Sequence, residues 1–380
     1  MVILVCIPCL MTGGTEIQTL SLAKALVTAG HEVITVCYFE HTNEMVERYQ
    51  QAGSRIVCLS VDGCRTAGLW ATITFLYYGL RRIVKEMKPD AAHVQYMAPG
   101  AIPIILLRLL GIKTIIATAH TAADIYPSLR LLKFIQRHLL TVFTCITERA
   151  ERSFFGTSQL YSPTTVLARK GNHFTIYNNL PDYIQISTTP KQFRQPITIG
   201  VVSRLERIKG MDLVVPAFHL IHKKYTDTRL LVVGDGSLRP QMEQQVQEFG
   251  LSDAVEFVGR QPQEMLQSYY NKIDILLMPS RSEGFGLTAI EGMARGCVVV
   301  AANVGGLPEV IKDGESGILH TPEEITEIAE KTCAIINNPH QFKNLSQQAI
   351  IRAKDFSTDV YQSHIADLYQ KIATLCLSNC

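Results

Sequence analysis

Residues 279–300 constrain the fold of this chain more than any other segment. The apolar run 273–278 precedes the segment, and a second apolar run, residues 297–301, closes it. Short apolar runs bounded by turn residues are typical of buried strands, and residues 287–295 between them have the character of a helix. This order predicts a βαβ unit whose loop lies at the carboxyl end of a parallel strand, where open α/β sheets bind ligands.

The loop of this unit carries two glycines and two glutamates. Gly284 and Gly286 allow the backbone to approach a ligand and leave amide groups at the helix start, which suits an anion. Glu283 precedes the helix, and Glu291 projects from it about one turn further on. Two carboxylates beside an anion site fit a ligand that also carries hydroxyl groups, as a sugar nucleotide does. For either glutamate alone, helix capping or simple solvation is an equal alternative.

This pattern resembles the signature of the retaining nucleotide-sugar glycosyltransferases of family 4, in which two glutamates separated by seven residues flank a Gly-Phe-Gly turn. The resemblance implies a GT-B fold, an α/β architecture of two Rossmann-like doubly wound domains that face each other across a cleft. It implies that Glu283 orients the transferred sugar and that Glu291 holds the ribose hydroxyls. The donor-binding residues implied in this segment are Gly284, Phe285, Gly286, Leu287 and Glu291.

Length and charge agree with two domains. A chain of 380 residues is too long for one ordinary core, and 47% hydrophobic with 18% charged residues indicates a globular, rather apolar protein. Lys and Arg outnumber Asp and Glu by 17 to 12 over residues 1–190, whereas over 191–380 the counts are 19 and 22. A basic amino-terminal half suits peripheral contact with an anionic membrane. Nucleic-acid binding is not expected, because no block of like charge occurs.

The ten cysteines are scattered through apolar runs, as reduced buried thiols would be, and this favours a cytoplasmic protein. Cys6 and Cys9 form an isolated C-x-x-C in the first strand, without a second pair, and we expect no metal there. The apolar start 2–11 is a core strand rather than a signal peptide. No run approaches the roughly 18–20 apolar residues that span a bilayer, so membrane contact would be peripheral, at the inner face.

The chain opens with another βαβ pattern: strand 2–8, a glycine turn at Gly13 and Gly14, helix 17–29 and strand 31–37. The turn either contacts a phosphate or only makes the tight bend that such units need, and the resemblance favours donor binding. A dinucleotide-binding oxidoreductase would need G-x-G-x-x-G with an acidic residue about 20 positions further on. Neither feature is present, which argues against an oxidoreductase.

Strands and helices continue to alternate through the first half, which predicts a parallel sheet. The strands are predicted at 55–59, 91–94, 114–118 and 142–146, and the helices at 69–87, 100–110 and 129–140. His120 follows the strand 114–118; on its own it would be a structural histidine, but the resemblance implies contact with the donor sugar. Helix 129–140 spaces Arg130, Lys133 and Arg137 along one side, which fits either an ordinary surface helix or a membrane-interface helix.

The second half opens with strand 197–202, a basic loop and a helix at 211–225. Basic loop residues are usually only solvated, but the resemblance places Arg204 and Lys209 beside the donor diphosphate. Residues 180–196 are polar with three prolines and are predicted to link the domains. We therefore predict an acceptor-side domain at 1–180, a nucleotide-sugar domain at 190–358, and a last helix at about 360–380 that packs back onto the first domain.

The resemblance implies retaining transfer of a hexose from a UDP- or GDP-sugar to a glycan or lipid-linked acceptor, in cell-surface polysaccharide synthesis. Arg204, Lys209 and the helix start at 284–286 would stabilise the leaving diphosphate. Because this cationic pair is present and no D-x-D motif occurs, we expect neither a metal nor another cofactor. The alternative is a sugar-nucleotide epimerase of the same fold; a non-catalytic binder should lack the cationic pair. The implied catalytic residues are Glu283, His120, Arg204 and Lys209.

Overall fold

The computed structural model describes residues 1–96, 101–123 and 128–377, and the chain divides into two compact units. The first unit comprises Met1–Asn179 and Thr358–Cys380, and the second unit comprises Leu180–Ser357. The segment 180–196, predicted as a linker, groups with the second unit. Its backbone is tied there, because the Ser187 amide donates to the Ala294 carbonyl at 2.7 Å and the Lys191 amide donates to Ser346 Oγ at 2.9 Å.

The first unit is built on a seven-stranded sheet, counted over the described residues, with neighbour order β3-β2-β1-β4-β5-β6-β7 and every pair parallel. The strands are β1 (Val2–Ile7), β2 (Glu32–Cys37), β3 (Arg55–Cys58), β4 (Ala91–Tyr96), β5 (Thr114–Ala119), β6 (Val142–Cys145) and β7 (Asn172–Thr175). The helices are α1 (Gly14–Thr28), α2 (Asn43–Gln51), α3 (Leu69–Met87), α4 (Ala101–Leu109), α5 (Leu129–Leu139) and α6 (Glu148–Phe155). Separate apolar cores cover the two faces of the sheet, which is why a strand such as β1 is a continuous apolar run.

The second unit repeats this plan with a parallel six-stranded sheet of order β10-β9-β8-β11-β12-β13 among the described residues. The strands are β8 (Ile197–Val202), β9 (Thr228–Val233), β10 (Val255–Gly259), β11 (Ile275–Met278), β12 (Val298–Ala302) and β13 (Ile318–His320). The helices are α7 (Val214–Lys224), α8 (Arg239–Glu248), α9 (Gln263–Lys272), α10 (Leu287–Ala294), α11 (Leu307–Val310), α12 (Ile325–Ile336) and α13 (Pro339–Ala353). The prediction of two Rossmann-like α/β domains is confirmed.

The last helix, α14 (Thr358–Leu377), belongs to the first unit. Its apolar side, including Leu368 and Ile372, is buried in the core that also holds Leu20 of α1. Tyr369 adds a hydrogen bond, since its hydroxyl lies 2.8 Å from Nδ1 of the buried His93. Residues 378–380 of the predicted helix lie outside the described residues. None of the helices within the described ranges is both long enough and apolar enough to span a bilayer.

The element boundaries differ from the predictions where short or polar segments are concerned. Helix α1 begins at Gly14 rather than at residue 17, because Gly13 already takes the N-cap position. The helix predicted at 211–225 is a 3-10 turn, Met211–Leu213, followed by α7, and the predicted start of α4 at residue 100 lies outside the described ranges. The elements that were not predicted are helices α2, α6, α8, α9, α12 and α13 and strands β7 and β13. Helices α2 and α6 are short and mostly polar, and threonines cap them.

Candidate active site

The second sheet changes its winding direction between β8 and β11, which are neighbours in the sheet although β9 and β10 separate them in the chain. Loops that leave the carboxyl ends of such strands diverge, and ligands bind between them in open α/β sheets. The loop after β8 carries Arg204 and Lys209, and the loop after β11 carries Glu283. The topology therefore brings these predicted residues to the same edge of the sheet.

Backbone contacts hold these two loops together. Gly210 has a φ of 68°, and a Cβ atom there would lie 1.9 Å from the carbonyl oxygen of Pro279. Any other residue would collide with backbone that has little room to move, so the close approach requires glycine. The Arg281 amide also donates to the Ile208 carbonyl at 2.9 Å. The position of the basic loop is consequently fixed by the loop that carries the first glutamate.

Lys209 and Glu283 form an ion pair across the two loops. Lys209 Nζ donates to Glu283 Oε2 at 2.7 Å, and the side chains are 22% and 14% exposed. An ion pair of this kind is less screened by water and salt than a surface pair. Arg204 differs, because its side chain is exposed and no hydrogen bond or ion pair holds it within the described ranges. Its charge acts on the neighbouring Glu206, whose carboxyl pKa it helps to lower. These loops thus offer one cation that is held in an ion pair and one that is exposed.

Two glycines after β12 fix the backbone of Glu283. The Gly306 amide donates to the Glu283 carbonyl at 3.2 Å. Gly305 has a φ of 58°, and a Cβ there would lie only 1.7 Å from the same carbonyl oxygen. From the sequence, these glycines were predicted only to precede a helix with proline in its first turn. Their role in holding the loop of Glu283 was missed, because the signal depends on a contact with a residue 22 and 23 positions away.

The Gly-Phe-Gly turn begins α10 and is anchored in the interior. Gly286 is the N-cap residue with a φ of 107°, and a Cβ there would lie 2.8 Å from Cδ2 of Leu307. The Phe285 ring is buried and packs edge-to-face on Phe356, with ring centroids 5.7 Å apart. Gly284 is exposed. The side chain of Phe285 therefore anchors the turn, and the backbone amides are the part of it that suits an anionic ligand.

Glu291 is buried, with 5% of its surface exposed, and tyrosine hydroxyls bind both of its oxygens. Tyr183 donates to Oε1 at 2.8 Å and Tyr270 donates to Oε2 at 2.6 Å. Burial raises the pKa of Glu291 to about 7, although the two hydrogen bonds act in the opposite direction. The sequence missed both tyrosines, because Tyr183 lies in the predicted linker and Tyr270 is one of several tyrosines in the chain.

His120 follows β5 in the first unit and is buried rather than open at the edge of the sheet. Its Nε2 lies 2.6 Å from Oε1 of Gln95, so Nε2 carries the proton and Nδ1 is left as an acceptor. Burial lowers the pKa of His120 to about 4, so the ring is neutral near pH 7. Both residues line a small cavity of about 20 Å³, and Gln95 Nε2 has no hydrogen-bond partner within the described ranges.

Gly13 and Gly14 stand at the start of α1, next to a carboxylate. Glu16 is mostly buried in the first turn of the helix, and a Cβ on Gly13 would lie 2.5 Å from its Oε2. Cys9 donates to Oε1 of the same carboxylate at 3.2 Å. The Glu16 carboxylate already interacts with the positive end of the helix dipole, so it competes with a phosphate for this position. A carboxylate is, however, a good acceptor for a hydrogen bond from a hydroxyl group.

Two families match this chain. The family described as "Glycosyl transferases group 1" matches residues 185–354, and "Glycosyltransferase Family 4" matches residues 12–158. The two matches are adjacent and together cover most of the chain, one in each unit. They give no support to a sugar-nucleotide epimerase.

Curated relatives and solved structures agree. A D-inositol 3-phosphate glycosyltransferase of Corynebacterium urealyticum is 32% identical over 47% of this chain, and the match spans only 43% of the length of that relative. An enzyme of the same name from Corynebacterium aurimucosum is 24% identical over 97% of this chain and 93% of its own length. The structure of Anabaena HepE in complex with UDP has a TM-score of 0.78 at 18% identity, covering 97% of this chain and 100% of HepE.

The sequence matches and the common fold lead to one assignment. The group 1 match contains the loops of Arg204, Lys209, Glu283 and Glu291, and the family 4 match contains Gly13 and His120, which are the segments that carried the resemblance. The chain therefore belongs to the family 4 glycosyltransferases and has a GT-B fold.

Proposed function

We propose that this protein is a retaining hexosyltransferase that moves a sugar from a UDP- or GDP-linked donor to a glycan or lipid-linked acceptor in cell-surface polysaccharide synthesis. The ion pair of Lys209 and Glu283 beside the exposed Arg204, at the switch point of the second sheet, carries this proposal. The solved complex of HepE with UDP supports a nucleoside diphosphate as the leaving group.

The charged groups suit departure of a diphosphate. Arg204 is exposed and is not held in an ion pair, so it would bind the incoming diphosphate first, through a charge-assisted fork of N–H groups. Lys209 would turn its remaining N–H groups to the same oxygens while Glu283 keeps it in place. Negative charge on the leaving group grows as the glycosidic bond breaks, and preorganised cations stabilise that charge. Two cations make a divalent metal at the diphosphate unnecessary.

Retention of configuration follows if the acceptor attacks from the face that the diphosphate leaves. The acceptor oxygen bonds to the anomeric carbon, the bond from that carbon to the diphosphate breaks, and the acceptor proton passes to the departing phosphate oxygen. The Glu283 carboxylate is held by Lys209. It therefore orients the sugar and stabilises positive charge, and we do not assign it the role of nucleophile.

Glu291 would hold the ribose. Each carboxylate oxygen has two acceptor positions, and the tyrosines use one on each oxygen, so ribose hydroxyls can donate to the remaining positions. In the first unit, neutral His120 and the spare N–H of Gln95 would contact sugar hydroxyls, because hydroxyl groups both donate and accept hydrogen bonds.

We also propose that α5 places the protein on the inner face of an anionic membrane. Its exposed side carries large apolar residues as well as the predicted cations: Leu129, Leu131 and Phe134 are 40%, 48% and 56% exposed. Arg130 and Lys133 are exposed between them. An exposed apolar surface with interspersed cations suits a lipid interface better than free solvent, and this would bring the enzyme to a lipid-linked acceptor.

A thermal-shift panel of UDP, GDP, ADP and their sugars, followed by transfer assays, tests the donor assignment. A ligand at 100 times its dissociation constant stabilises by about 2.7 kcal/mol, which gives a clear shift. Arg204→Gln should remove most of the shift, because its charge meets the diphosphate. Arg229→Gln is the matched control, since this exposed arginine lies near the start of β9, at the opposite edge of the same sheet. Equal shifts in the two variants, or no shift with any nucleotide, would reject the proposal.

A further inference from the structure

The ends of β2 and β3 bring together two cysteines and a histidine that the proposed reaction does not use. Cys37 and Cys58 are the last residues of neighbouring parallel strands and are paired in register. His41 follows four residues after Cys37. One ligand atom from each of the three side chains lies within 4.8 Å of the others. This cluster was not predicted from the sequence, because its members are not arranged as C-x-x-C or as another spaced metal motif.

The geometry points to a zinc-binding site formed by the Cys37 and Cys58 thiolates and the His41 imidazole, with water as the fourth ligand. Zinc prefers thiolate and imidazole ligands at about 2.3 Å and 2.0–2.1 Å, which places tetrahedral ligand atoms roughly 3.5–3.8 Å apart. Because the ligand atoms already lie within 4.8 Å of one another, binding needs them to approach by about 1.0–1.3 Å at most.

A hydrogen bond orients the His41 ring so that one ring nitrogen can bind a metal. His41 Nδ1 lies 3.2 Å from the Phe39 carbonyl, so Nδ1 is the donor and Nε2 presents its lone pair. Metal-bound histidines generally donate their other ring N–H to such a carbonyl, which holds the ring in place. The backbone of His41 is also held, because Leu10 forms an isolated β-bridge with it. A pair of cysteines that only formed a disulfide would need no imidazole in this position.

Charge and access agree with this assignment. Two thiolates and a neutral imidazole balance the charge of Zn²⁺, and the thiol protons are released to solvent on binding. Cys37 is buried, whereas Cys58 and His41 are partly exposed and leave an approach for the ion.

The cluster is separate from His120, the histidine of the same unit that is proposed to contact the donor sugar. Strands β1 and β4 lie between β2 and β5, the strand before His120. At about 4.8 Å per strand, the cysteine strands are roughly 14–19 Å from β5. Zinc here would fasten the short edge strand β3 to β2 and would not replace the cations at the diphosphate.

Cobalt titration of the full chain tests the site. The protein is prepared reduced and metal-free, and Co²⁺ is added while thiolate-to-cobalt charge transfer and tetrahedral d–d bands are recorded; Zn²⁺ is then added to displace the cobalt. We expect one equivalent with both band types. Cys58→Ser should weaken binding by at least the 10–100-fold that loss of even an outer-shell partner costs, and should lower the charge-transfer intensity. His41→Gln should keep thiolate charge transfer but bind more weakly.

Cys64→Ser is the matched control, because Cys64 is the exposed cysteine six residues after Cys58. It should bind cobalt as the wild type does. Circular dichroism of each variant in chelator shows whether it is folded, and His41→Gln tests the site independently if Cys58→Ser is not. The proposal is overturned if wild type binds no cobalt, if Cys64→Ser is affected as strongly as Cys58→Ser, or if mass spectrometry finds Cys37 and Cys58 joined as a disulfide in metal-supplied protein.

Discussion

Replacing Glu291 by glutamine should stabilise the second unit at alkaline pH while weakening nucleotide binding. Burial raises the pKa of Glu291 from 4.5 to about 7 in the folded protein. The folded protein therefore holds a proton on this group at pH values where the unfolded chain has lost it. Stability falls wherever the folded state binds more protons than the unfolded state, so it decreases as the pH rises from 4.5 to 7.

The magnitude follows from the two pKa values. Their separation, from 4.5 to about 7, corresponds to roughly 3 kcal/mol of stability that is lost in full above pH 7. Glutamine has the shape of the protonated acid and can still bind both tyrosine hydroxyls, but it does not ionise. At pH 8, Glu291→Gln should therefore raise the melting temperature by up to about 6–12 °C, with the smallest difference at pH 4.5.

Calorimetry of wild type and variant at pH 4.5, 6 and 8 measures this difference. Glu256→Gln is the control, because Glu256 is exposed on β10 of the same sheet, and its effect should not change with pH. UDP affinity of Glu291→Gln should fall by about 1.5–3 kcal/mol, since the charged acceptor for ribose is lost. A general structural defect would lower both stability and binding. A pH-independent difference in melting temperature would refute the ionisation argument.

Three further predictions concern the reaction and its location. Glu283→Gln should lower kcat by about 10²–10³-fold in initial-rate assays. The UDP affinity of this variant should stay near normal in titrations, because UDP lacks the sugar and Lys209 remains to bind it. A normal kcat with weakened UDP binding would exchange the roles of the two glutamates. Transfer should continue in a magnesium- and manganese-free buffer, and a loss of turnover that either ion restores would contradict the role given to Arg204 and Lys209. In sedimentation assays the protein should bind anionic vesicles more than neutral ones, and its binding should weaken at high salt. The Phe134→Ala variant should bind both vesicle types more weakly. Equal binding to both vesicle types would show that electrostatic attraction does not contribute to membrane binding.

The fold could be predicted from the sequence because its signal is local. Buried parallel strands are continuous apolar runs, and a helix such as α3, Leu69–Met87, has the bounds that its periodic pattern predicts. Helices α2 and α6 were missed because short polar helices depend on caps and packing for their stability. The turn at Met211–Leu213 was assigned to a helix, because a 3-10 turn and the first turn of an α-helix have similar local sequences.

The position of the candidate residues in the fold was predictable from the sequence, but their contacts were not. The sequence places Arg204, Lys209 and Glu283 after strands, and parallel topology puts such positions at one edge. It contains no information that Lys209 pairs with Glu283 or that two tyrosines bind Glu291, because these pairs are 21 to 108 positions apart in the chain. Side-chain pairing of this kind depends on the packing of loops, for which spacing in the sequence gives no rule.

The negative charges of Glu283 and Glu291 are compensated in different ways. If a diphosphate binds here as proposed, a carboxylate repels it unless the charge of the carboxylate is compensated before the ligand arrives. Glu283 is compensated by the Lys209 ammonium at 2.7 Å, and Glu291 is partly protonated near pH 7 because it is buried. Arg204, by contrast, is exposed and is not held in an ion pair within the described ranges, so its charge is more accessible to an anion than that of Lys209. When ribose hydroxyls donate to Glu291, they stabilise its ionised form and should lower its pKa, so nucleotide binding should release a fraction of a proton near pH 7. Titration calorimetry of UDP in buffers of different ionisation enthalpy measures this release. The proton should be absent in Glu291→Gln, and an equal release from that variant would show that another group is its source.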